Sequence, residues 1–108
     1  MSKTGVSETG VSEIYETILV IGGGLIGSSL ARAARTYGAA KTVLIADRSQ
    51  EACDTIRALE FCDDVSTCPK AFAKTGDLII LATPPGKMGR VAEAVIPHMK
   101  AGATLTDV

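Results

Sequence analysis

A chain of 108 residues, 46% apolar and only 4% aromatic, has room for one hydrophobic core, built from Val, Ile, Leu and Ala. A formal net charge of −1 with no basic stripe argues against a nucleic-acid surface. The longest apolar run, Ile18 to Ile26, is broken by glycines and too short to span a bilayer, so no membrane partner is expected.

In chain order, residues 1–16 repeat "TGVSE" at Thr4–Glu8 and Thr9–Glu13. Polar and without periodicity, this stretch is expected to be a flexible N-terminal tail; it lacks the charged-then-apolar pattern of a signal peptide. From Thr17, "TILVIG" reads as a strand buried on both faces. Ile26, Leu30, Ala33 and Tyr37 then recur at helical spacing, with Gly38 as the stop. Thr42–Asp47 is a second buried strand, and Ser49 is placed to cap a second helix with an apolar face of Ala52, Ile56 and Leu59.

A weaker third strand is expected at Asp64–Thr67, then a short helix from Pro69 to Ala73. Asp77–Thr83 is the most apolar strand. Pro84, Pro85 and Gly86 read as a loop, and Met88, Val91, Ala92, Val95 and Ile96 mark one face of a further helix. Ala103–Val108 closes the series as a strand. Strands alternating with helices require crossover connections, which gives an α/β fold of Rossmann type: a doubly wound parallel sheet of order 3-2-1-4-5 spanning residues 17–108. Ligands of such sheets bind in the crevice at the carboxyl ends of strands 1 and 4.

The glycines lie at that crevice. Gly22, Gly24 and Gly27 form G-x-G-x-x-G between a strand and a helix, and Asp47 ends the next strand twenty residues beyond Gly27. This combination is the dinucleotide fingerprint. Gly22 permits the tight turn, Gly24 lets backbone approach a pyrophosphate, and Gly27 lets the helix press on the strand. The helix start supplies N–H groups and positive potential, and Leu25 and Ile26 cover the turn and the adjoining core. Asp47 is placed to accept from the ribose hydroxyls and to repel a 2′-phosphate, which favours NAD; Arg48 beside it leaves NADP as the alternative. A bare strand-to-helix turn is the bland reading of the same glycines. The absence of Gly-Lys-Ser/Thr argues against a triphosphate loop.

Three cysteines, Cys53, Cys62 and Cys68, with a single histidine and no C-x-x-C spacing, argue against a zinc site and fit reduced thiols in the cytoplasm. Cys53 and Cys62 are expected to be buried or half-buried. Glu51, Asp54, Arg57 and Glu60 read as a solvated helix face. Ser28 and Ser29 open the first helix, where cofactor contact and helix-start hydrogen bonding are equally good readings.

The segments "VIGGGLIGSSLARAAR", "DRSQEA", "DLIILATPPGKM" and "IPHMKAGATLTDV" together resemble the cofactor-binding domain of the prephenate dehydrogenase family, which includes arogenate and cyclohexadienyl dehydrogenases. The resemblance implies NAD(P)-dependent oxidative decarboxylation of prephenate or arogenate in tyrosine biosynthesis, with Thr83, Pro84 and Pro85 beside the cofactor. It implies a catalytic serine and histidine beyond Val108, in or after a Gly-Ser-Val-Lys segment, and a C-terminal helical domain that forms a homodimer. The chain is accordingly expected to be a fragment, with no catalytic residue of its own, and its last strand is expected to be a sticky sheet edge. His98 corresponds to a helix-end histidine without a catalytic role. The β-hydroxyacid dehydrogenases and a nucleotide-sensing module are the alternatives, since fold alone does not choose a substrate.

Overall fold

The computed structural model describes residues 15–108. Its first strand, β1 (Tyr15–Ile21), feeds two cores from alternate residues. Ile18 and Val20 face one layer, while Leu19 and Ile21 face the other, and all four are buried. This is the two-sided burial expected of a central parallel strand. The chain continues through α1 (Leu25–Thr36), β2 (Ala40–Ala46), α2 (Gln50–Leu59), β3 (Asp64–Ser66) and α3 (Pro69–Ala73). It finishes with β4 (Leu78–Leu81), α4 (Pro85–Val95), a 3₁₀ turn (Ile96–His98) and β5 (Thr104–Asp107).

All four strand pairs are parallel, and the order is β3-β2-β1-β4-β5. Helices α1 and α2 cover one face, where Ala31, Cys53 and Ile56 meet Ile18, Val20, Val43 and Ile45. Helices α3 and α4 cover the other, where Ala73 and Val95 meet Leu19, Leu44, Ile79 and Leu81. The Rossmann-type architecture is therefore the observed one.

Several local expectations need correction. The expected tail falls outside the described residues except at its end, where Tyr15 and Glu16 already belong to β1. Tyr15 pairs with Ala40 and donates its N–H to the Ala39 carbonyl at 3.1 Å, so the strand starts two residues earlier than its apolar run. The buried stripe of α1 is Gly27 and Ala31, not Ile26, Leu30, Ala33 and Tyr37; Ile26 is 61% and Tyr37 82% exposed. The helix lies too close to the sheet for large side chains on its inner face. In α2 the buried residues are Cys53 and Ile56, and Leu59 is exposed. Pro85 and Gly86 are not loop: Pro84 is the N-cap of α4 and Pro85 its first residue, where proline's fixed φ and missing N–H fit a helix start. Gly38, at φ +68°, and the Ser49 hydroxyl, accepting from Ala52 N–H at 3.1 Å, end α1 and start α2 as expected.

Two acids begin strands by one device. Asp63 donates its N–H to the Val43 carbonyl (2.8 Å) while its carboxylate accepts from Val43 N–H (2.7 Å). Asp77 does the same to Thr17, at 2.9 and 2.8 Å. Each acid is also held by a cation, Arg35 at 3.4 Å for Asp63 and Lys100 for Asp77. These contacts satisfy the Val43 and Thr17 amides where the shorter neighbours β3 and β4 begin, at the end of the sheet away from the glycine loop.

Candidate functional site

The turn out of β1 is built from what glycine lacks. Gly22 sits at φ +107°, and a Cβ there would lie 2.8 Å from the Ala82 carbonyl oxygen. A Cβ on Gly27 would lie 1.7 Å from the Gly22 carbonyl oxygen, so α1 can start here only if that residue has no side chain. A Cβ on Gly24, in contrast, would meet nothing within 4 Å. Gly22 and Gly27 therefore serve the protein's own packing, while Gly24 leaves open space above the turn.

Helix α1 starts into that space. Gly24 is its N-cap with no side-chain cap, and the Ser28 N–H makes the first intrahelical bond, to the Gly24 carbonyl at 2.8 Å. The amides of Leu25, Ile26 and Gly27 lack intrahelical acceptors, as the first turn of any helix must. No acid lies in the first turn of α1 or of α4, so neither helix offsets the positive potential at its start with a side chain of its own.

The space is a cavity of about 730 Å³ at the carboxyl ends of β1, β2 and β4. That lies within the range of small-ligand and cofactor clefts, roughly 300–1,000 Å³. Gly22, Gly24, Leu25, Ile26, Asp47, Arg48, Thr83, Pro84 and Pro85, all singled out from sequence, line it. Gly27 does not, because it is pressed under the turn. Leu25 is 86% exposed and so forms the cavity rim rather than covering core. The hydroxyl of Thr83 is buried with no hydrogen-bond partner among the described residues.

Asp47 stands just past β2 with its polar atoms engaged. Oδ2 accepts from Gly23 N–H at 2.8 Å and Oδ1 from Ser49 N–H at 2.9 Å. Its own N–H donates to the Ser66 carbonyl at 3.0 Å, and its carbonyl accepts from the Cys53 thiol at 3.2 Å. A carboxylate has about four acceptor positions, so each oxygen keeps one for a ligand hydroxyl. Burial pushes the Cys53 thiol above its usual range, and it stays a neutral donor beneath the site.

Other candidates fall elsewhere. Ser28 donates its hydroxyl to the Gly23 carbonyl at 2.9 Å, which settles it as a helix-start contact, and Ser29 is exposed. His98, in the turn after α4, is not part of the cavity wall. The three cysteines are free, and no metal-binding cluster of His, Cys, Asp and Glu occurs among the described residues. No helix among them is long and apolar enough to cross a membrane. Sequence reasoning missed Gly23, whose Cβ would lie 2.5 Å from Ile56 Cδ1, and missed Lys87 and Val91 on the cavity wall. Lys87 and Val91 are four apart on α4, a spacing that puts them on one helix face and could have flagged them once α4 was started at Pro85.

Residues 30–108 match the family model of the prephenate dehydrogenase nucleotide-binding domain. Cyclohexadienyl dehydrogenase of Zymomonas mobilis is 37% identical over 94 residues, covering 87% of this chain and 32% of that protein. Among solved structures, Synechocystis arogenate dehydrogenase superposes with a TM-score of 0.78 at 32% identity, over 85% of this chain and 32% of its own. Prephenate dehydrogenase from Aquifex aeolicus, in complex with hydroxyphenyl propionate and NAD+, gives 0.77 at 23% identity over 85% and 32%, a likeness of fold. This chain thus spans about a third of the length of each of these relatives. The family-model match starts at Leu30, after the glycine turn. The chain belongs to the prephenate dehydrogenase family, as its nucleotide-binding domain.

Proposed function

We propose that this chain is the NAD-binding part of a prephenate or arogenate dehydrogenase, acting in oxidative decarboxylation toward tyrosine. One observation carries the reading: the uncapped start of α1 opens, over a Gly24 whose missing Cβ would meet nothing within 4 Å, into the cavity that also holds the Asp47 carboxylate. A pyrophosphate fits against the amides of α1. Asp47 keeps acceptor positions for the ribose hydroxyls of the adenosine, and its charge disfavours a 2′-phosphate, so NAD is preferred to NADP. Arg48 forms the adjoining wall, and Thr83, Pro84 and Pro85 wall the opposite side with an apolar face and an unspent hydroxyl. The dinucleotide, when bound, supplies the hydride acceptor. The chain's own residues bind and orient it.

The groups that take the 4-hydroxyl proton and hold the substrate are assigned to the part of the family's length that this chain does not span, as is a homodimer interface. On this reading residues 15–108 are the dinucleotide domain of a cytoplasmic enzyme.

Thermal melting with each dinucleotide tests the proposal. With NAD at ten times its dissociation constant the chain should gain about 1.4 kcal/mol, or roughly 6–11 °C in Tm. NADP at the same concentration should give a smaller shift. No shift with either dinucleotide at millimolar concentration would overturn the reading.

A further inference from the structure

We infer that Asp47 is also a positioning residue: its carboxylate latches the glycine turn in the shape that receives a pyrophosphate, before any ligand arrives. The inference rests on the proposed dinucleotide site and adds a second task for its acid.

The geometry separates this task from ribose recognition. Gly23 is the middle glycine of the turn, and its N–H donates to Asp47 Oδ2 at 2.8 Å across 24 residues of chain. The opposite oxygen takes the Ser49 N–H, and Ser49 in turn caps α2 through its hydroxyl. Ser28 holds the other side of the same residue by donating to the Gly23 carbonyl. Gly23 is thereby clamped through both its backbone groups, and a Cβ there would lie 3.4 Å from Asp47 Oδ2 and 2.5 Å from Ile56 Cδ1. Ile56 is 3% exposed and belongs to the core. The main chain that carries the carboxylate is held by the Asp47 N–H donating to the Ser66 carbonyl and the Cys53 thiol donating to the Asp47 carbonyl. A chain of contacts therefore runs from β3 through Asp47 to the turn that precedes α1. Hydrogen bonds to an ionised acceptor are among the stronger ones, so removing this one leaves Gly23 N–H without its partner and frees the turn.

Two views of Asp47 make opposite forecasts. If the acid only discriminates between cofactors, removing it deletes the repulsion of a 2′-phosphate, and NADP binds better. If it also latches the turn, removing it weakens NAD and NADP together. The test compares wild type, Asp47→Ala and Asp47→Asn in the full chain. Asparagine lacks the charge and keeps an oxygen that can accept from Gly23. Amide hydrogen exchange at Gly23 is measured without ligand, and affinities for NAD and NADP by calorimetry.

In Asp47→Ala we expect Gly23 exchange to quicken by about tenfold or more and both affinities to fall. In Asp47→Asn, exchange should stay near wild type while the NAD/NADP preference moves toward NADP. Unchanged Gly23 exchange in Asp47→Ala, or an NAD affinity that does not fall, would overturn the latch. Failure of the wild type to bind either dinucleotide would overturn the proposed function instead, and the exchange measurement would still decide the latch.

Discussion

Gly24 and Gly27 differ in what their missing side chains leave room for. The Gly27→Ala methyl would overlap the Gly22 carbonyl oxygen, which is backbone and cannot swing aside. That variant should lose about 2–3 kcal/mol in urea unfolding, the range of an overpacked core site. Gly24→Ala meets no protein atom, so its ligand-free stability should stay within about 0.5 kcal/mol of wild type while its NAD affinity falls. Equal losses of stability in the two variants would contradict this division of labour. Gly22, Gly24, Gly27 and Asp47 were legible in the sequence because each answers to a fixed spacing in the fingerprint. Gly23 was not, because its partners Asp47 and Ile56 lie across the fold and the motif leaves its position free.

At the scale of elements, the order and type of nearly every strand and helix could be read, but helix phase could not. Helix α1 offers two apolar stripes, a large one through Ile26 and Tyr37 and a small one through Gly27 and Ala31. Hydrophobic size favours the first, yet close approach to a parallel sheet selects the second, and Ile26 is released to the cavity wall. The Asp77 clamp was equally silent, because it joins residues 60 apart.

That clamp has a pH signature. The Lys100 hydrogen bond, helped by the Thr17 N–H, holds the Asp77 carboxyl below the usual carboxylate range. A folded-state value below the unfolded one adds stability that is present above about pH 4, the unfolded carboxylate value, and is lost as pH falls through the folded value. Asp77→Asn should therefore flatten the acid limb of a Tm-against-pH curve below about pH 4. An acid limb identical to wild type would rule the clamp out as a contributor.

On the scale of the whole molecule, alternation of strands and helices was enough to foresee the sheet order and hence the crevice. The composition of the crevice wall beyond the fingerprint was not foreseeable, since Pro69, Lys87 and Val91 reach it only through the packing of α3 and α4 over the sheet. Among the described residues the sheet is open on both sides, with β3 at one edge and β5 at the other, and Thr104, Thr106 and Asp107 of β5 are exposed. Unpaired strand edges invite pairing. Sedimentation velocity should show this chain self-associating as its concentration rises, and a monomer independent of concentration would count against it.

The central claim is that the first turn of α1 and the end of β2 form one dinucleotide site. Backbone amide shifts followed during an NAD titration test it most directly. Saturable shifts are expected, largest at Leu25, Ile26, Gly27 and Asp47, with His98 and the Asp77–Lys100 clamp at the far end of the sheet unmoved. Saturable shifts centred elsewhere, with the α1 amides still, would contradict it.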